Sequence, residues 1–215
     1  MISILTATIG RNVLHDLFIS LANQVSPNWE WVVVFDGNCS YNRYFSDYIN
    51  LYKTSSGKIK ISIEETPHNF GRPQRKAAVS IMSGGFGMYV DDDDILYPHA
   101  ISTLEKYIKY HDFIIFRTWC DWLGRSIPAS LHLPKITCGE VASCSYAVSN
   151  ELLKALPWPQ QTGREVGGTA ADYYWFREMK KLAKRPVVIP DVLAYARHYY
   201  VERGCEPSWV SRFGH

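Results

Sequence analysis

The sequence has little net charge, no paired cysteines and no long apolar run. Its 215 residues carry a formal net charge of +2. That balance is too small to argue for nucleic acid or an anionic membrane by bulk attraction, and no nucleic-acid partner is expected. The five cysteines, Cys39, Cys120, Cys138, Cys144 and Cys205, are odd in number and form no C-x-x-C pair. A disulfide framework or zinc ribbon is therefore not expected, and a reducing cytosol is the simpler compartment. No segment approaches the ~20 apolar residues that a spanning helix requires. The opening MISILTATIG is apolar, but no basic region precedes it and Arg11 follows, so it reads as a first strand rather than a signal peptide. Internal repeats and low-complexity linkers are also missing.

What the sequence does have is alternation. Apolar residues make up 47% of the chain, the ordinary globular share, which is enough for one sizeable core. Residues 2–8, ISILTAT, are short, apolar and β-branched, as a buried strand would be. Gly10 breaks the run and Asn12 can cap a helix, after which Val13, Leu14, Leu17, Phe18, Leu21, Ala22 and Val25 recur at helical spacing. EWVVVFDG, 30–37, is apolar on both faces, as in a central parallel strand. A tyrosine-rich helix is expected over roughly 41–53, and KIKISIEE, 58–65, alternates as a third strand. Pro73 suits the first turn of a helix that turns Ala77, Ala78, Ile81 and Met82 inward. GFGMYV, 85–90, is a fourth strand, and Pro98 opens a helix carrying Ile101, Leu104, Tyr107 and Ile108.

The first half therefore reads β-α-β-α-β-α-β-α, which predicts an α/β fold with a mostly parallel sheet and helices on both faces. The second half is less regular. FIIFRTW (113–119) and GEVASCSYAVS (139–149) read as strands, NELLKAL as a short helix, and the Gly-rich residues 163–168 as a loop. A helix opens at Asp172, and residues 186–199 read as a strand broken by Pro190. One domain over 1–215 is expected, its first half to about residue 95 binding one ligand and the remainder forming a small antiparallel part for another.

Open α/β sheets bind ligands at the carboxyl ends of their strands. Here those ends carry Thr6 and Thr8, Asp36, and four successive carboxylates in YVDDDDIL, Asp91 to Asp94. Such a run is either a solvated acidic turn or a holder of something positive, since like charges packed at a strand end are unfavourable without a counter-ion. Alternate residues of a strand share a side, so Asp91 and Asp93 would face together if the extended geometry persists. Carboxylate oxygens suit Mg2+ or Mn2+. In HNFGRPQRKAA, 68–78, Arg72, Arg75 and Lys76 cluster at a helix start, either as a basic first turn paired with Glu64 and Glu65 or as an anion site, which backbone N–H groups there also favour. A basic anion site beside an acidic cation site is what a metal-bound nucleoside diphosphate requires.

The order ISILTATIGR, WVVVFDG, NFGRPQRKAA, MYVDDDDIL resembles the nucleotide-binding half of family 2 glycosyltransferases with the GT-A fold. Asn69, Gly71 and Arg75 match the family's middle segment, although Lys76 stands where Asn is usual. Asp91-Asp92-Asp93 matches D-x-D and Asp94 the trailing acid. The resemblance is close over residues 2–100 and loose beyond.

It implies a nucleotide-sugar donor, a UDP-hexose first, and a saccharide or other hydroxyl acceptor. Thr6 and Thr8 would line the nucleoside pocket, Asp36 would accept from the base, and Arg11 is a further donor-binding candidate. Arg75 would approach the diphosphate or ribose, Asp91 would contact the ribose, Asp93 would ligate Mn2+ or Mg2+ and Asp94 would support them; Asn69, Gly71 and Asp92 are further donor-binding candidates, with Asp92 alternatively facing away. His198, in YARHYY, is a further metal-ligand candidate or a structural residue. Asp172 stands where inverting members carry the base, though the usual preceding Glu is absent. The same Asp172 fits a capping box with Thr169, and Glu165 is the fallback base. Trp119, Trp122, Trp158 and Trp209 are candidates for stacking on sugars, with core packing the commoner role. A homo-oligomer is compatible with all of this. Two other classes stay open: a sugar-phosphate nucleotidyltransferase, and a non-catalytic carbohydrate- or nucleotide-sugar-binding module.

Overall fold

A computed structural model describes residues 1–37, 58–64, 71–158 and 171–197. Among these, nine strands form one sheet, in the order β3-β2-β1-β4-β8-β6-β9-β5, with β7 paired onto β6. The first four strands to appear in the chain are β1 (Ile2–Thr8), β2 (Trp29–Asp36), β3 (Ile59–Glu64) and β4 (Phe86–Tyr89). All their mutual pairings are parallel, as the alternating sequence predicts. The other half of the sheet is mixed. It contains β5 (Ile95–Leu96), β6 (Phe113–Cys120), β7 (Arg125–Ile127), β8 (Tyr146–Ser149) and β9 (Pro186–Ala196). There β8 is antiparallel to both β4 and β6, while β9 is parallel to β6.

Among the described residues, five helices cover the two faces. On one face, α1 (Leu14–Ala22) and α3 (Ala100–Tyr107) bury Leu14, Leu17, Leu21, Ile101 and Leu104 against Ile2, Ile4, Trp31 and Val33. On the other, α2 (Arg72–Ile81), α4 (Asn150–Ala155) and α5 (Ala171–Leu182) bury Ala78, Leu153, Trp175, Phe176 and Met179 against Leu5, Val32 and Val34. Covered on both sides, β2 exposes none of its eight residues, which accounts for its unbroken apolar run. Each fully buried Val, Leu or Phe side chain contributes roughly 1.5–3 kcal/mol.

Several local expectations are corrected. Helix α1 stops at Ala22, and Val25 is exposed. Residues 139–149 are not one strand: a 3-10 turn at Ser143–Ser145 intervenes, and only Tyr146–Ser149 pairs. Pro190 does not break β9. The register against β6 slips between Ile115 and Arg117, leaving Pro190 in a bulge where its missing N–H costs no ladder bond. Strands β5 and β7 are too short to show a period in the sequence. The expected helix over 41–53 and the Gly-rich stretch 163–168 lie outside the described residues.

Candidate functional site

Strands β1 and β4 are neighbours, yet β2 and β3 lie beyond β1 while β8, β6 and β9 lie beyond β4. The order of the sheet reverses between them. Side chains at such a switch point converge beyond the carboxyl ends of the strands. Thr8 ends β1, and the four aspartates follow β4.

Extended geometry does not persist through the aspartates. The Asp94 N–H donates to the Asp91 carbonyl at 3.0 Å, which closes a turn. The turn drives Asp92 and Asp94 inward, 3% and 4% exposed, and leaves Asp91 and Asp93 partly open. Asp92 neither faces away nor is open to a ligand. It accepts from Thr8 Oγ1 at 2.6 Å and from Arg11 Nε at 3.2 Å, because a buried carboxylate must be paired. Thr8 and Arg11 thus tie the end of β1 to the acidic turn, and Arg11 also stands 3.1 Å from Asp93.

Thr6, one repeat earlier on the same face as Thr8, is fully buried and accepts from Trp31 Nε1 at 3.0 Å. It faces the core rather than a nucleoside pocket, since the face it shares with Ile2 and Ile4 packs under α1. Asp36 is buried at the end of β2, in register with Glu64.

The basic segment is organised around Gly71. Its φ is 70°, and a Cβ there would meet the Ala7 Cβ at 2.9 Å. Only glycine lets α2 begin this close to β1. One turn on, Arg75 pairs with Asp91, and its guanidinium lies 4.6 Å from the centre of the Trp158 ring. Trp158 packs in turn on Tyr89 and Trp175, at 5.0 and 5.3 Å between ring centres. Arg72 is buried at the start of α2. Asn69, His198, Glu165, Thr169 and Trp209 lie outside the described residues.

Asp91, Asp93, Asp94 and Asp172 line one cleft of about 310 Å3, together with Trp122, Ser143 and Arg197. Their surroundings set their protonation apart. Burial alone would raise Asp91, but Arg75 and the Ser143 hydroxyl, 2.9 Å away, hold it below the usual carboxylate range. Burial raises Asp93; Arg11 opposes this, while Asp91 and Asp92 add to it. Burial, then Asp91 and Asp93, lift Asp94 well above the usual range. Asp172, in the first turn of α5, is pushed up to about 7, chiefly by burial and then by Asp91, with Arg75 opposing. Two acids in one cleft with opposed shifts are the pattern of an ionised binding group beside a group able to take a proton near neutrality.

Two contributors were not legible in the sequence. Ser143 reaches Asp91 from 52 residues away. Arg197 donates its backbone N–H to Asp94 Oδ1 at 3.2 Å, its Nε to the Asp93 carbonyl, and its guanidinium to Asp16 Oδ2 at 2.7 Å. It clamps the acidic turn to α1. The only hint was its place beside His198.

Among the described residues no group of three or more His, Cys, Asp or Glu side chains is arranged to hold a metal ion. The open carboxylates Asp91 and Asp93 do fit a cation that takes one or two protein carboxylates and fills its other positions with phosphate and water oxygens. That Arg11 places a cation beside Asp93 shows that the position favours positive charge.

A sheet with a switch-point cleft, acidic at the end of β4 and basic at the start of α2, is an α/β architecture of the GT-A kind. The chain belongs to glycosyl transferase family 2, which matches residues 3–131. It is similar in fold to S. aureus TarS 1–349, with a TM-score of 0.75 and 22% identity over 91% of this chain and 60% of that one. TarS 1–349 in complex with UDP-GlcNAc gives a TM-score of 0.73 at 21% identity, over 92% and 58%. A mannosyltransferase from Pyrobaculum calidifontis, in complex with GDP-Man and Mn2+, gives 0.63 at 14% identity, over 94% and 58%. The chain thus spans about 60% of the TarS 1–349 structure. No curated protein sequence matches it.

Proposed function

We propose that the protein transfers a hexose from a nucleotide sugar, UDP-linked, to an acceptor hydroxyl, by a metal-dependent inverting displacement. The observation that carries this reading is that Asp172 lines the same cleft as Asp91 and Asp93, where burial pushes its carboxyl up to about 7. Family membership supports glycosyl transfer. The structural relatives bound to UDP-GlcNAc and to GDP-Man with Mn2+ support a nucleotide-sugar donor and a divalent cation.

In this reading Asp93 would hold the cation, with Asp91 beside it on the ribose side and His198 as a further candidate ligand. When bound, the cation offsets the charge that builds on the departing diphosphate. Asp36 accepts from the base, and Gly71 lets the backbone at the start of α2 come close to the phosphates. Arg75, fixed between Asp91 and Trp158, keeps a positive charge beside the donor. Asp172 takes the proton from the acceptor hydroxyl as its oxygen attacks the anomeric carbon from the face opposite the leaving group. Burial poises it near neutrality, so an appreciable fraction is ionised when the acceptor arrives. The free thiols Cys120, Cys138 and Cys144 fit a reducing, cytosolic compartment for the reaction.

The test is a panel of UDP- and GDP-sugars incubated with and without Mn2+, scored by nucleoside diphosphate release. UDP release stimulated by Mn2+ is expected. Pyrophosphate release from a sugar phosphate and a nucleoside triphosphate would instead identify a nucleotidyltransferase, and donor binding without turnover a binding module. Calorimetry isolates the metal role: UDP should bind more tightly with Mn2+, and Asp93→Ala should abolish that difference. Unchanged metal dependence in the variant removes Asp93 from the cation site.

A further inference from the structure

The cleft is lined by two kinds of side chain: carboxylates, among them Asp91, Asp93 and Asp172, and the apolar Trp122, Ile127 and Val141. Trp122 sits in the 3-10 turn Asp121–Leu123 that joins β6 to β7, closed by Gly124 at φ 61°. The core buries Trp29, Trp31, Trp158 and Trp175 almost completely, whereas Trp122 is 47% exposed. This indole lines the cleft from a short hairpin and stays partly exposed, although the fold has a core that takes indoles.

A pyranose ring has the matching chemistry. It presents a patch of C–H groups on one face and a rim of hydroxyls around it, so one face can lie on an indole while a hydroxyl points at a carboxylate. A nucleobase also stacks, but the sheet separates the two positions. The base-binding candidate Asp36 ends β2, and Trp122 follows β6, four strands away in the order β2-β1-β4-β8-β6. At about 4.8 Å per strand that is roughly 19 Å. Trp122 is on the Asp172 side of the site, beyond the reach of a base held at β2.

We infer that Trp122 is the platform of an acceptor subsite that binds a pyranose ring by stacking, with an acceptor hydroxyl turned toward Asp172. This rests on the proposed reading of the cleft and narrows the acceptor to a glycoside, free or as the head of a larger glycoconjugate. It excludes acceptors whose hydroxyl is on a side chain or an acyclic polyol.

The experiment uses the full chain labelled with 15N at its indole nitrogens. The Trp122 cross-peak is identified as the one missing from W122F. Methyl β-D-glucopyranoside, glycerol and UDP are then titrated separately. The expected result is a saturable shift of the Trp122 peak with the pyranoside and no comparable shift with glycerol. In W122A, pyranoside affinity read by calorimetry should fall about tenfold, and in W122F by less, because a phenyl ring keeps part of the stacking. A Trp122 peak that ignores the pyranoside, responds equally to glycerol, or moves with UDP alone overturns the assignment. A pyranoside response in a protein that releases no UDP from any donor leaves the subsite standing and removes the transferase reading, so the two failures are distinct.

Discussion

Asp172 is the residue on which the proposed chemistry turns, and its removal has two separable consequences. Substituting Asn keeps the size of the side chain and its place in the first turn of α5 but removes the base. General-base catalysis is worth about 10^2–10^4 in rate, so D172N should lose that factor in kcat. UDP affinity should change by less than about threefold, since the donor-side groups are Asp36, Asp91, Asp93 and Arg75. The wild-type pH dependence follows from the shifted carboxyl. Burial and Asp91 place its midpoint at about 7. The ionised form is the active one, so activity falls as pH drops through 7. With one titrating group, about one molecule in ten carries the ionised form at pH 6 and about nine in ten at pH 8, nearly a tenfold change in kcat. The assay is steady-state UDP release between pH 5 and 9, with UDP binding measured in parallel by calorimetry. A flat wild-type profile over that range, or a D172N enzyme that keeps more than a tenth of wild-type kcat, would refute Asp172 as the base and leave it a helix-end residue.

The remaining predictions concern what holds the site in place. Gly71→Ala puts an L-residue at φ 70° with its Cβ 2.9 Å from Ala7, so it should cost about 2 kcal/mol. Calorimetry should then show Tm lower by about 4–8 °C; an unchanged Tm means α2 can move away from β1 freely. Glu30 is buried and accepts from Ser3 Oγ at 2.6 Å and the Gly84 N–H at 3.0 Å, with Lys60 3.0 Å away. Burial would raise its pKa, but Ser3, the Ser83 N–H and Lys60 outweigh burial and lower it. Its stabilisation is therefore present above the ordinary glutamate range and lost as pH falls through the lowered value. E30Q should be less stable at pH 7 in urea melts, and the gap to wild type should close below about pH 4. A gap that stays constant with pH would assign the effect to packing instead.

The alternating runs were sufficient to read the parallel half of the sheet, because a strand buried on both faces must be apolar along its whole length, as Trp31 to Phe35 are. Proline at the start of a helix and the punctuating glycines marked α2 with the same economy. The mixed half was harder. Strands β5 and β7 have two and three residues, less than is needed to display a period. The Ser143–Ser145 turn hides inside a stretch whose composition suits a strand.

The sequence alone determined which chemical groups stand at the strand ends: four carboxylates after β4, arginines at the start of α2, and an acid at the head of α5. Local order sufficed for that, since each group is fixed by its own element's boundary. Only the tertiary structure decided what each group does. The turn at Asp91–Asp94 replaced the expected alternation, because the Asp94 N–H finds the Asp91 carbonyl rather than a neighbouring strand. Burial then made Asp92 a tie between strands through Thr8 and Arg11, and left Asp91 and Asp93 to the cleft. Ser143, Arg197 and Trp122 arrive from distant segments, so no local pattern could have announced them. Desolvation has the same origin: the raised pKa of Asp172 belongs to the packed cleft and to no residue of the sequence by itself.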